Sequence, residues 1–177
     1  HTECRRQRQM CIRDSYLRCT QSSGTLCTPQ IVGFGKAVEV ALAEMESETK
    51  QLTNLRQKLW EKLQTLENIF LNGHPTERLP GNLNISVEGV DGQALLLGLQ
   101  SVMAVSSGSA CTSAKVAPSH VLQALGRSEK LAYASVRFGI GRFNTVEEID
   151  MVSEQAITTI KSLRQANRSQ KSIVRTN

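Results

Sequence analysis

The sequence predicts an α+β fold in which helices pack on a small sheet, preceded by one long helix. Three observations carry this. Apolar residues recur every three or four positions from Ile31 to Leu66, which is helix periodicity. Leu83, Ile85 and Val87 alternate with Asn84, Ser86 and Glu88, which is strand periodicity. A capping box, Thr145-x-x-Glu148, opens a last helical segment. The expected order is long helix, strand, strand, helix, strand, helix, strand, helix, a layered arrangement around one core.

Each element has its own warrant. Pro29 suits a first helical turn. The stripe Ile31, Val38, Ala41, Leu42, Met45, Leu52, Leu55, Leu59, Leu63 and Leu66 predicts a helix to about Leu66 that packs on the chain's own sheet. Glu46 and Lys50 stand four apart in the favourable order. Ile69–Leu71 reads as a short strand stopped by Asn72-Gly73, and Pro80-Gly81 as a turn before the alternating strand. Asp91 caps a short helix through Leu99. Val102–Val105 reads as an apolar strand and Ser106–Ala117 as a loop of small residues. Pro118 and Ser119 open a helix through Ala124, with Gly126 after its end. Ala134–Ile140 reads as a strand, and the last helix runs to about Ala166.

Composition bounds the class. A chain of 177 residues, 40% hydrophobic, can build a core without disulfide staples. The uncharged run from Gly92 to Ala114 is long enough to span a bilayer but holds five serines, so no membrane span is expected. No apolar stretch follows the first arginines, so no secretory signal is expected either. Five cysteines, an odd number without a C-x-x-C pair, suggest reduced thiols and a cytoplasmic setting. The net charge of +5 sits at the ends. Residues 1–21 carry +3, residues 161–177 carry +5 with no acid, and the middle carries −3. A basic terminus attracts RNA or acidic partners, but without interleaved aromatics it reads as a solvated, frayed end, and RNA binding is not expected. Residues 1–21 show no apolar periodicity. The string Arg6 to Asp14 resembles a translated sequencing adapter, so this segment is set apart from the fold.

Two segments carry chemistry. Ser106-Ser107-Gly108-Ser109-Ala110-Cys111-Thr112-Ser113 places one thiol in a loop of small residues. Such a loop can move, and nearby Lys115 and the coming helix start favour a thiolate. About five residues from its anchor at roughly 3.3 Å each, Cys111 could sweep about 15 Å. Val136-Arg137-Phe138-Gly139-Ile140-Gly141-Arg142-Phe143 sets Arg137 among apolar strand neighbours, where a guanidinium wants a carboxylate or phosphate. An ordinary loop cysteine and a structural ion pair are the plain alternatives. Arg142 reads as a surface or turn residue.

Together these segments resemble the class I cysteine desulfurases, pyridoxal-phosphate enzymes of the aspartate aminotransferase superfamily. The resemblance rests on Ser23-Gly24-Thr25 with Gln30-Ile31-Val32-Gly33, on Asn84-Ile85-Ser86, on Gly92 with its helix, on Ser106–Ser113, and on Val136–Asp150. It implies the small C-terminal domain of a fold-type I pyridoxal-phosphate enzyme. The domain plan is then a non-family segment at 1–21, a connecting region with the long helix at 22–66, an α+β domain bearing the cysteine loop at 67–166, and a basic tail at 167–177. It implies that Cys111 takes sulfur from L-cysteine as a persulfide, releasing alanine, and that Arg137 binds the substrate carboxylate. Thr25 would reach the phosphate of pyridoxal phosphate across a homodimer. Sulfur would pass to an iron–sulfur scaffold or a tRNA-thiolation acceptor, with Cys111 also an occasional ligand of a transient iron–sulfur cluster.

Departures accompany the resemblance. Ser22 stands where the family usually has Arg, and His120 where an aromatic is common. No lysine follows a histidine, whereas the family's Schiff-base lysine sits in a His-Lys context. The chain is therefore expected to be a C-terminal part of such an enzyme, inactive by itself. A selenocysteine lyase-like enzyme and a non-enzymatic adaptor for a sulfur acceptor are the alternatives.

Overall fold

The computed structural model describes residues 27–100, 102–107 and 118–174. The chain forms two compact units, His1–Met45 and Glu46–Asn177. In the first, the described residues open helix α1 (Thr28–Leu63). The amides of Gln30 and Ile31 bond the carbonyl of Cys27, at 3.0 and 3.1 Å, so the turn containing Pro29 starts the helix. Lys36 and Glu39 form an exposed pair. Ile31, Val38, Leu42 and Met45 are exposed. The 3–4 spacing marks a face but carries no information about what covers it.

The second unit holds the rest of α1 and every other element: β1 (Ile69–Leu71), β2 (Asn82–Val87), α2 (Gly92–Gln100), β3 (Ser106–Ser107), α3 (His120–Ala124), α4 (Glu129–Tyr133), β4 (Ser135–Gly139) and α5 (Val146–Val174). Here the stripe does pack. Leu55, Leu59 and Leu63 are buried, with Leu52 and Leu66 against the same core. The helix stops at Leu63, where Thr65 Oγ1 donates to the Lys62 carbonyl. Asn68 then takes a left-handed φ of 56°, a conformation asparagine tolerates, to turn into β1.

The sheet is antiparallel throughout, in the order β1-β2-β4-β3. Residues directly opposite each other share a face. Leu71, Ile85 and Val136 therefore lie on one face, with Leu83 opposite Phe138 beside them. That face forms the core with the α1 leucines, Leu95 and Leu99 of α2, and Ile149, Ala156 and Ile160 of α5. Close backbone packing requires glycine at 81 and 92. A Cβ on Gly92 would lie 2.1 Å from the Tyr133 carbonyl oxygen, and one on Gly81 would lie 2.2 Å from the Ile140 carbonyl oxygen.

Caps behave largely as expected. Asp91 Oδ1 accepts from the Ala94 amide at 2.9 Å. Thr145 Oγ1 accepts from the Glu148 amide at 3.2 Å, and Glu148 Oε2 accepts from the Thr145 amide at 3.0 Å, completing the capping box. Lys58 and Lys62, one turn apart on α1, both pair with Asp150 of α5 at 2.8 and 2.7 Å.

Three boundaries differ from expectation. Val102–Val105 is not a strand. The amides of Val102 and Met103 bond the Leu99 carbonyl and finish α2 as a turn, and pairing with β4 begins only at Ser106. The short helix α4 was not expected; Ser128 caps it by accepting from the Leu131 amide. Helix α5 runs to Val174 rather than Ala166, since no glycine or proline interrupts 167–174.

Candidate active site

Arg137 sits in the middle of β4, with buried Val136 and Phe138 on either side. Alternation turns those two into the core and turns Arg137 to the other, exposed face. Its direct neighbours across the sheet are Asn84 on β2 and Ser106 on β3. Arg137 Nη2 donates to Ser106 Oγ at 3.2 Å. No carboxylate among the described residues pairs with it, so the plain alternative, a structural ion pair, is absent there. A guanidinium held from one side, with open donors on an exposed face, can take a carboxylate in a forked grip.

Ser106 also opens the Ser106–Ser113 stretch of the sequence. Cys111 lies outside the described residues, and so does Thr25. The structure therefore brings Arg137 together with Ser106 and says nothing of Cys111. His120 is the exposed first residue of α3. Arg142 is a turn residue, as expected, and pairs with Glu48 at 2.9 Å. Ser106 as the partner of Arg137 escapes the sequence, because a serine in a run of small residues carries no strand signal.

The same sheet face carries a second polar group that pattern reading misses. Asn72 is only 5% exposed. Its Nδ2 donates to Asn84 Oδ1 at 2.7 Å and to Ser86 Oγ at 2.8 Å. Its Oδ1 accepts from Arg127 Nε at 2.7 Å, and its carbonyl from Arg78 Nη2 at 3.0 Å. Arg127 also donates to the Leu71 carbonyl and lies 5.3 Å from the centroid of the Phe70 ring. Ser86 Oγ meets Ser135 Oγ at 2.7 Å. This seam satisfies buried polar groups. The signal available was Asn72-Gly73, which reads only as a turn.

Pyridoxal phosphate would have to be held mainly by residues other than the described ones. Lys36, Lys50, Lys58 and Lys62 are committed to carboxylates, and Lys130 and Lys161 are exposed. No group of His, Cys, Asp or Glu among the described residues could hold a metal. What this set offers is an exposed guanidinium held beside Ser106.

The described residues thus form an α+β domain of helices on a four-stranded antiparallel sheet, with Arg137 on its exposed face. The chain belongs to the aminotransferase class-V family, whose model matches residues 12–152. The match opens ten residues before the boundary drawn at 22 from the sequence. The chain is 49% identical over 143 residues to cysteine desulfurase IscS of Acinetobacter baumannii, covering 81% of this chain and 35% of that protein. The corresponding protein of Azotobacter vinelandii is 47% identical over the same shares. Among solved structures, a NifS-like protein from Rickettsia africae superposes with a TM-score of 0.68 at 30% identity, over 79% of this chain and 36% of that one. Another NifS-like protein gives 0.69 at 28% identity, over 80% and 35%. The chain thus spans about a third of the length of the curated relatives it matches.

Proposed function

We propose that these residues form the substrate-gripping and sulfur-relaying part of a pyridoxal-phosphate-dependent cysteine desulfurase. The observation that carries this is the pairing of Ser106 with Arg137. It sets the Arg137 guanidinium beside Ser106, at the start of the stretch of sequence that carries Cys111, in a chain 49% identical to a cysteine desulfurase. Arg137 would hold the carboxylate of L-cysteine and so fix where its sulfur lies. The Cys111 thiolate would attack that sulfur, forming a persulfide as the carbon–sulfur bond breaks, and alanine would leave. Thiolate attack on divalent sulfur follows the logic of thiol–disulfide exchange.

Pyridoxal phosphate supplies the electron sink for this chemistry when bound. Thr25 as a phosphate ligand across a homodimer belongs to the same proposal. So do a reducing, cytoplasmic setting, an iron–sulfur scaffold or tRNA-thiolation protein as sulfur acceptor, and a transient iron–sulfur cluster at Cys111.

The test uses the complete enzyme containing these residues. Cys111→Ser should abolish protein-bound persulfide while leaving cofactor absorbance unchanged. Arg137→Gln should raise KM for L-cysteine at least tenfold with the persulfide site intact. Persulfide formed on another cysteine of the Cys111→Ser enzyme would overturn the assignment. Turnover of selenocysteine well above that of cysteine would favour the lyase alternative.

A further inference from the structure

The basic C-terminal segment reads from sequence as a frayed end, but α5 carries it onward as helix to Val174. At 100° per residue, positions 161, 164, 168 and 171 fall within an arc of about 80° and span about 15 Å of axis. All four are basic, and no acid occurs from 161 to 177. The first three are not on a flat face. Lys161, Arg164 and Arg168, with Gln165, form one wall of an open groove of about 530 Å³ whose other wall is the turn Thr65-Leu66-Glu67.

Arg164 is fixed in that groove. Its Nε donates to the Glu88 carbonyl at 3.0 Å and its Nη2 to the Asn68 carbonyl at 3.3 Å, while Asn167 Nδ2 donates to the Gly89 carbonyl. Burial, and then the neighbouring charge of Arg168, push the Arg164 guanidinium below its ordinary pKa, while Glu88 and Glu67 push it the other way. Lys161 and Arg168 hold no ion-pair or hydrogen-bond partner among the described residues. The groove therefore presents one rigid guanidinium flanked by two uncommitted cations.

We propose that this groove is a site for the phosphate backbone of RNA, gripped by Lys161, Arg164 and Arg168. An acidic protein fits it less well. Protein interfaces need an apolar centre, and Leu66 is the lone apolar residue among the seven that line this groove. Backbone recognition of a nucleic acid needs none, since phosphate contacts supply affinity without reading bases. That also answers the missing aromatics, which base stacking would require and backbone binding does not. Thr65 spends its hydroxyl proton on the Lys62 carbonyl, which leaves its oxygen free to accept from a ribose 2′-hydroxyl. The Gln165 amide can both donate and accept.

The test is fluorescence anisotropy of a labelled 20-nucleotide RNA with the full 177-residue chain between 50 and 200 mM KCl. Three phosphate contacts predict a slope of log Kobs against log salt of about −2. K161E/R168E should weaken binding at least tenfold at the lower salt and flatten the slope by roughly 1.5. K36E/K130E, with the same change in net charge, should bind as the parent does. DNA of the same sequence should bind at least threefold more weakly. The proposal is overturned if the control pair loses as much as K161E/R168E, if DNA binds equally, or if polyglutamate displaces RNA at equal charge. Matching far-UV circular dichroism of the variants ensures that folding does not decide the outcome.

Discussion

The two faces of the sheet use the same strands for opposite purposes. On one face Leu83, Ile85, Val87, Val136 and Phe138 are buried together with the leucines of α1. On the other, Asn84, Ser86, Ser135, Arg137 and Ser106 are polar, sealed by hydrogen bonds at the Ser86–Ser135 end and open at Arg137. The first face gains free energy by excluding water and has no preferred partner for any one side chain. The second gains little net stability, because its groups exchange water for one another. Its return is geometry: each polar atom has a fixed direction. A strand such as β4 can do both because successive residues point to opposite faces.

Truncation separates these roles most sharply. Phe138→Ala on the apolar face should cost about 3–5 kcal/mol, read as a lower urea midpoint without a change in slope. Loss of less than about 1 kcal/mol would mean that the apolar face does not carry the fold. On the sealed end of the polar face, Asn72→Ala should cost about 1–3 kcal/mol, because it strands Arg127, Ser86 and Asn84 beside a partner they can no longer use. A double-mutant cycle with Arg127→Met should give a coupling of about 1 kcal/mol between the two positions. Additive losses would show that the seam is not one network.

Arg137→Gln stands at the open end of the same face. Stability should move by no more than about 0.5 kcal/mol, as for other exposed substitutions. A change of the Asn72 size would place Arg137 in the scaffold and weaken its case as a substrate group. The same variant thus tests both the contrast within the polar face and the proposal for L-cysteine.

Much of this division is visible in the sequence, for reasons that particular residues make plain. Alternation around Leu83, Ile85 and Val87 shows β2 and its inward face. Val136-Arg137-Phe138 shows that Arg137 must leave the core its neighbours enter. Thr145 and Glu148 announce α5 because a capping box is local chemistry. What stays hidden is non-local. The β3 pairing rests on two serines opposite Arg137 and Val136, and nothing within Ser106-Ser107 distinguishes strand from loop. Helix α4 is five residues long and buries only Ala132, too short for periodicity to show. The exposed first half of the α1 stripe has the same spacing as the buried second half, so pattern alone cannot separate them. Cys111 and Thr25 lie outside the described residues, so of the expected site residues the structure places Arg137.

The smallest effect concerns the charges that pin α5. Hydrogen bonds from Lys58 and then Lys62 hold the Asp150 carboxyl below its ordinary pKa. The Asn144 side chain, then the Thr145 amide, do the same for Glu148. Both carboxyls are lowered on folding, so the unfolded chain binds protons that the native chain refuses. Their stabilisation is complete above the ordinary carboxylate range near pH 4, and fades as pH falls through that range toward the lowered native values. Urea midpoints should therefore drop between about pH 5 and 3, and D150N should flatten that drop more than E148Q does, since Asp150 joins two elements and Glu148 only closes its own helix end. Added salt should shrink the Asp150 share, because the pair is partly open to water. Parallel profiles for wild type and D150N would mean that α5 is held by Ile149, Ala156 and Ile160 alone, and that the apolar face needs no electrostatic pin.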